Sequence, residues 1–215
     1  MITNEGDVWF TRKKGEDTVY AFLTKAHWTL GQRRSFTLRS VAATPETRVS
    51  VLGQTGELLE YRPDVDPRTR WRTTDQGLEI DVMQAQRYYD DHKWPNAVVV
   101  KLTRVTPAMT PPAVTTRDGA RSPNGATATL RAELSGLGGS RSVEVGFQYR
   151  RRKGTEELYT PDDPWISTAL VVRTGPGAYS IDVGGLRADA AYEFRAMVKH
   201  PLLTVFGEDR QLATQ

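Results

Sequence analysis

The densest set of side chains able to do chemistry is a polar, aromatic stretch, Gln86-Arg87-Tyr88-Tyr89-Asp90-Asp91-His92-Lys93-Trp94. Aromatic faces beside carboxylates can stack on a sugar ring and accept hydrogen bonds from its hydroxyls. The same residue types also serve packing, with Trp94 closing the edge of a sheet and the tyrosines resting on a neighbouring domain. Tyr88, Tyr89, Asp90, His92 and Trp94 are therefore candidates for contact with a carbohydrate or with a protein surface. Trp28, next to His27 in a loop that follows a strand, joins them. Three acidic pairs, Asp64/Asp66, Asp90/Asp91 and Asp162/Asp163, could supply oxygen ligands to calcium, but none sits in an EF-hand pattern. A structural calcium is the one ion these pairs leave open, and no other cofactor is expected. His27, His92 and His200 are too far apart for zinc spacing. No Gly-x-Ser-x-Gly, phosphate loop or dinucleotide fingerprint occurs, so no catalytic residue is assigned.

Composition limits the function classes. Of 215 residues, 38% are apolar and 26% charged, as in a globular protein and unlike a disordered one. Residues 1–106 carry 16 basic and 14 acidic side chains, and residues 107–215 carry 13 and 12. Neither half is a basic module, which argues against nucleic acid as a partner. The one basic run, Arg150-Arg151-Arg152-Lys153, follows a strand, ends at Gly154 and has Glu156 and Glu157 close by. It reads as a solvated hairpin tip. The absence of cysteine excludes disulfides and thiolate metal sites. No apolar run is long enough to cross a bilayer as a helix, so no membrane partner is expected. Residues 1–7 lack the features of a signal peptide.

The elements that must position these residues read as strands. Asp7–Thr11 and Thr18–Thr24 flank a polar turn and form a hairpin. Apolar residues on both faces of the second strand suggest cover on both sides. Phe36 and Leu38, then 48–52 and 57–61 around Gly53-Gln54-Thr55-Gly56, give further short strands. In 78–82, Leu78, Ile80 and Val82 point inward while Glu79 and Asp81 face water. The run Ala97–Leu102 closes this set, its valines suited to a strand packed on both faces.

Thr106-Pro107-Ala108-Met109-Thr110-Pro111-Pro112-Ala113 reads as a junction, since its prolines remove ladder donors and hold the chain extended. Asp118-Gly119 and Asn124-Gly125 read as turns. Beyond them, Ala126, Ala128, Leu130, Ala132 and Leu134 share one strand face. Strands over 143–149, 166–172, 179–183, 192–198 and 211–214 follow. The expected fold is all-β: two tandem antiparallel β-sandwiches, residues 1–106 and 114–215, joined by a Pro-rich linker over 107–113.

Two resemblances add to this reading. Asp7-Val8-Trp9-Phe10-Thr11-Arg12-Lys13, Thr18–Phe22, Val49–Gly53, Gly77–Val82 and Trp94–Leu102, in that order, resemble the C-terminal β-sandwich of α-L-fucosidases of glycoside hydrolase family 29. In that family the sandwich follows a (β/α) barrel that carries the chemistry. Retaining glycoside hydrolysis needs two carboxyl groups a fixed distance apart. The family supplies both from the barrel, so none of its catalytic residues transfers to a position here. The resemblance implies a non-catalytic accessory region of a fucosidase-like enzyme, itself exported, with that enzyme's barrel as partner. Trp9, Tyr20, Trp28, Tyr88, Tyr89 and Trp94 would form the docking face, and fucosylated glycan is the second partner implied. Leu186 followed by Tyr192 and Phe194 resembles the tyrosine corner of a fibronectin type III-like domain, which implies a fold and no activity. The alternative is a stand-alone carbohydrate-binding or structural interaction module.

Overall fold

The computed structural model describes residues 2–13, 15–24, 31–54, 62–85, 98–153 and 162–212. Among these every regular element is a β-strand, and the paired strands run antiparallel. The chain divides into two compact units, Ile2–Met109 and Thr110–Gln215.

The first unit contains β1 (Ile2–Glu5), β2 (Val8–Thr11), β3 (Val19–Leu23), β4 (Arg33–Leu38), β5 (Val41–Val51), β6 (Arg70–Thr74), β7 (Gly77–Met83) and β8 (Val98–Pro107). One sheet has the order β1-β2-β3-β8-β5, and a second has β4-β7-β6. Alternation along each strand decides what lies between them. Val8, Phe10, Val19, Ala21, Leu23, Val100 and Leu102 from the larger sheet meet Leu38, Leu78, Ile80 and Val82 from the smaller. Each such side chain contributes about 1.5–3 kcal/mol on burial, so this one core holds the unit. The opposite faces of β3 and β8 are only half-buried at Tyr20, Phe22, Val99 and Lys101. Cover on both faces was the expectation; instead one face is core and the other is partly open.

Two polar devices fix the shape of this unit. The Glu5 carboxylate accepts hydrogen bonds from Arg39 N and Ser40 N at 2.7 Å each, joining β1 to the β4–β5 turn. In β5 the register shifts between Ala43 and Arg48, and the extra residues form a bulge. The hydroxyls of Thr44 and Thr47 both donate to Arg104 O at 2.8 Å, and Arg104 takes φ 55° opposite them. Strand β5 is thus much longer than the sequence pattern suggested, because a bulge bridges the break in its alternation.

The second unit contains β9 (Ala113–Arg121), β10 (Thr127–Gly136), β11 (Val143–Arg151), β12 (Ile166–Ser167), β13 (Val171–Arg173), β14 (Gly177–Gly184), β15 (Tyr192–Lys199), β16 (Thr204–Phe206) and β17 (Arg210–Leu212). A three-stranded sheet, β14-β10-β9, faces one built on β11, β15 and β16, in which β12 and β13 pair with β11 and β17 with β15. Leu130, Leu134, Val145, Phe147, Phe194 and Val198 are fully buried between them. Phe147 tilts against both Tyr179 and Phe194, with centroids 5.2 and 6.1 Å away.

Asp118-Gly119 is not a turn. It lies inside β9 at a register shift, a bulge where Phe194 and Leu212 atoms approach to 2.8–3.1 Å of where a Cβ would stand. Only glycine leaves that space. Asn124-Gly125 does turn the chain, with Gly125 N donating to Ser122 O at 2.8 Å. The region read as one strand over 166–172 is two short pieces. Between them, Thr168 Oγ1 takes the place of a backbone acceptor for Phe147 N at 3.0 Å. Tyr192 is buried, and its hydroxyl accepts from Arg187 N at 3.1 Å. Beside it the buried Arg121 guanidinium lies 5.6 Å from the ring centroid and donates to Gly125 O, Arg187 O and Ala190 O. That guanidinium locks the turn before β15 with carbonyls alone.

The two sheets of this unit are also tied directly. The buried Thr116 on β9 accepts from Ala196 N on β15 at 3.1 Å, while within the second sheet Gly207 N donates to Ala196 O at 3.0 Å. A Cβ on Gly207 would overlap Thr116 Oγ1, whereas one on Gly139 would meet nothing within 4 Å. Gly207→Ala should destabilise the protein by about 2–3 kcal/mol through overpacking. Gly139→Ala, limited to its φ of +77°, should cost about 1 kcal/mol. Chemical denaturation of the two variants would read the difference; equal costs would contradict the cross-sheet tie.

Candidate binding site

Trp28, Tyr88, Tyr89, Asp90, His92 and Trp94 all lie outside the described residues, as do His27 and Asp91. The described residues on either side of these positions converge. Gly31, where the chain re-enters after Trp28, donates its N–H to Gln84 O at 2.8 Å. Gln84 N donates in turn to Gln32 O at 3.1 Å. Ala85, immediately before the aromatic stretch, donates to the Gln54 side-chain oxygen at 3.3 Å. On the far side of that stretch Val98 pairs with Leu23, and Leu52 N donates to Val99 O at 2.9 Å. The described ends of three chain segments, 25–30, 55–61 and 86–97, therefore sit at one end of the first unit.

A charged clasp stiffens the same end. The Arg33 guanidinium donates to Asp66 O at 2.6 Å, to Arg68 O at 2.9 Å and to Asp81 O at 3.3 Å. It also stands 3.7 Å from the Asp81 carboxylate. Asp66 accepts from the Arg68 side chain and backbone and from Arg70, and these bonds, the Arg68 side chain first, hold its carboxyl far below the usual range. Beneath them Met83 and Ala85 form a small buried cluster with Val65 packed on it. Sequence reasoning missed Arg33. Its signal is weak, since an arginine opening a strand usually points into water.

The outer face of the larger sheet carries an apolar row leading to this end. Trp9 is paired with Phe22 and Phe22 with Val99, with Leu52 beside Val99. All four alternate with core residues and so face away from the core. Trp9, Phe22 and Val99 are half-buried and Leu52 is 46% exposed. A second row, Thr11–Tyr20–Lys101–Ser50, runs parallel to it.

The described carboxylates once considered for calcium are each engaged by a cation. Asp64 lies 3.5 Å from Arg62, Asp162 is 3.1 Å from Arg150, and Asp163 is 2.9 Å from Arg151. Among the described residues, no three His, Asp or Glu side chains stand close enough to hold a metal ion. The basic run is likewise neutralised. Arg150 binds Glu193 at 2.6 Å, Arg152 reaches the same carboxylate at 3.9 Å, and Lys153 reaches Asp163 at 3.9 Å. Arg150 and Arg151 are half-buried within β11, so the expected solvated hairpin tip is instead a charge network on a sheet face.

That network has an aromatic spine. The Arg195 guanidinium lies 4.2 Å from the Trp165 centroid and 4.3 Å from that of Phe206, and Arg150 lies 4.5 Å from Trp165. Arg195 is buried, and desolvation draws its pKa below the ordinary value, with Asp209 at 3.9 Å opposing the shift. Gln148 Oε1 accepts from it at 2.7 and 3.0 Å. The ladder pins Trp165 to the sheet, and its groups are turned toward one another. On the other sheet of this unit, a depression of about 450 Å³ is lined by Ala120, Thr127, Thr129, Asp182 and Gly184 among others. Its carboxylate, Asp182, accepts from Thr129 Oγ1 at 2.6 Å. What the described surface offers is an apolar row on the first unit and one shallow depression on the second.

No family model matches the chain, and no curated protein does. Among solved structures it is similar to the sensor domain of the anti-sigma factor RsgI4 of Pseudobacteroides cellulosolvens, at 10% identity and a TM-score of 0.34, over 49% of this chain and 97% of that one. It is also similar to a β-glucuronidase of Parabacteroides merdae, at 10% identity and a TM-score of 0.28, over 91% of this chain and 28% of that one. For β-glucuronidase 2 of Bacteroides uniformis the values are 13%, 0.25, 92% and 26%. The chain spans less than a third of either glucuronidase.

His200 sits apart from the loop end, buried in the second unit. Its Nδ1 accepts from Leu202 N at 3.1 Å, and its ring bonds the Gly138 backbone. Burial lowers its pKa below 6.5, the Gly138 bond opposing. The unfolded chain therefore binds the proton first as pH falls. The stabilisation by neutral His200 is complete above pH 6.5 and is lost as pH drops from there toward the folded-state value. Stability measured by denaturation across pH 5–7.5 should fall toward acid in the wild type. His200→Asn, which keeps an acceptor for Leu202 N, should show a shallower slope; parallel slopes would contradict the assignment.

Proposed function

We propose that the chain is an accessory, non-catalytic region of a fucosidase-like glycoside hydrolase, and that its first unit docks on that enzyme's catalytic barrel. The observation that carries this reading is the partly exposed apolar row Phe22–Val99–Leu52, running into the end where Gly31, Gln54, Ala85 and Val98 come together. A sheet face of a free-standing domain is normally polar; a row of large apolar side chains across adjoining strands is the pattern of a surface meant to be covered. The segment order that resembles family 29 sandwiches supports the choice of partner. In this reading Trp9 and Tyr20 lie on the docking face, and Trp28, Tyr88, Tyr89 and Trp94, outside the described residues, are its further candidates.

A second reading has the loop end bind glycan directly. The convergence of the described residues that flank 25–30 and 86–97 favours it, since sugar sites are built from convergent aromatic and polar side chains. The second unit is then a spacer of fibronectin type III-like type, a reading supported by the Leu186–Tyr192 corner and by its sheet orders.

The chain alone should hydrolyse an aryl α-L-fucoside at no more than the background rate. Added to a family 29 barrel from which its own sandwich has been removed, it should raise the barrel's thermal midpoint. Leu52→Asp should weaken that effect by about tenfold, as expected for a charge placed in an apolar contact. Turnover by the chain alone would overturn the non-catalytic reading. No shift with the barrel, together with retention on immobilised fucosylated glycan, would replace docking with sugar binding.

A further inference from the structure

We infer that the second unit associates with a second copy of this chain, edge to edge, through β14 paired antiparallel to itself about Ser180. A strand at the border of a sheet presents a row of N–H and C=O groups, and proteins blunt such borders by short length, charge, proline or bulges. The other borders of these sheets carry those devices. Strand β5 has the Thr44–Thr47 bulge with Pro45 inside it. Strand β4 opens with Arg33-Arg34, and β6 is five residues long with Arg70 and Arg72. The β12–β13 border is broken at Thr168–Leu170.

Strand β14 carries one of them, the exposed carboxylate of Asp182. Its eight residues, Gly177-Ala178-Tyr179-Ser180-Ile181-Asp182-Val183-Gly184, pair with β10 without a register shift and contain no proline, lysine or arginine. Among the described residues no strand pairs with its other side. Its outward side chains Ala178, Ser180 and Asp182 are small and exposed, so a neighbouring strand meets no obstruction. The exposed apolar side chains Ile166, Val171 and Val172, the last 63% exposed, belong to the opposite sheet's border. That border is joined to β14 by only Thr174-Gly175-Pro176.

The sequence of β14 suits a copy of itself. In an antiparallel pair, opposed residues share a face, so a two-fold axis must pass through a residue for the inner Tyr179, Ile181 and Val183 to stay on one face. An axis at Asp182 would oppose two carboxylates. An axis at Ile181 would leave the two Asp182 side chains about 7 Å apart along the strands, whereas an axis at Ser180 separates them by about 14 Å, beyond the Debye length. It also places Asp182 opposite Ala178 and Tyr179 opposite Ile181. A net charge of +3 gives two copies little reason to repel. The outcome is a continuous six-stranded sheet, with the flanking valines and Ile166 closer to cover. This inference does not depend on the docking reading, which concerns the other unit.

Because the chain has no cysteine, Ser180→Cys reports on this contact alone. Opposed Cα atoms in such a pair lie within disulfide reach. Mild oxidation should convert Ser180→Cys into a covalent dimer on a non-reducing gel, while Ser135→Cys, at the far end of β10, should stay monomeric. In analytical ultracentrifugation the wild type should sediment at twice the chain mass, and Ser180→Lys at the chain mass with an unchanged far-ultraviolet circular dichroism spectrum. A wild type that remains monomeric into the millimolar range, or equal cross-linking of both cysteine variants, would overturn the inference. Should Ser180→Lys fail to fold, the cross-linking comparison decides alone.

Discussion

The structure rests on one requirement: every backbone N–H and C=O drawn away from water must find a partner. Ladders meet it inside the sheets. Where the chain leaves a sheet, side chains and isolated backbone bonds meet it instead, and those points decide the shape of each unit. Glu5 receives two turn amides, Thr116 receives an amide from the opposite sheet, and the Arg121 guanidinium collects three carbonyls. At the loop end of the first unit, Gly31, Gln84, Gln32, Ala85 and Gln54 meet it mutually. Segments that are remote in sequence are thereby held to one another before any of their own side chains take part.

This explains how an ordinary core can serve a surface role. The core of the first unit is a sheet-on-sheet contact of valines, leucines and an isoleucine, and nothing in it is arranged for chemistry. The carboxylates that might do chemistry are held by arginines: Asp66 by Arg68 and Arg70, Asp81 by Arg33, Glu193 by Arg150. Such pairing fixes each carboxylate against a guanidinium, and at Asp66 the bonds from Arg68 and Arg70 hold the carboxyl well below the usual range. On its outer sheet face the first unit leaves Trp9, Phe22, Val99 and Leu52 partly exposed.

Strand identity was legible wherever alternation was clean. Leu78, Ile80 and Val82, and the series Ala128 to Leu134, point inward as their spacing demands. What was not legible depended on partners far along the chain. Asp118-Gly119 has the composition of a turn, yet Phe194 and Leu212 pack into the glycine and make it a bulge. The break at Thr44–Thr47 is bridged by two hydroxyls that find Arg104 O some sixty residues away. Arg150 to Lys153 looks like a solvated cluster until Asp162, Asp163 and Glu193 are brought alongside. β1 and β16 carry too little alternation to be seen in sequence, and each is placed by the strand it pairs with, β2 and β15. As for the site, the aromatic residues are read from the sequence, and only the hydrogen bonds of Gly31, Gln84, Ala85 and Gln54 show that the described residues flanking them lie together.

Gly31, Gln32, Gln54, Gln84 and Ala85 form one hydrogen-bonded platform at this end of the first unit. Amide hydrogen exchange on the whole chain tests it most directly, because protection reports the opening of individual bonds. The amides of Gly31, Gln84 and Leu52 should exchange as slowly as strand-centre amides such as Val100. Exchange at the rate of exposed turn amides such as Gln76 would mean that the anchors do not hold, and that the first unit offers no preformed surface to a partner or a sugar.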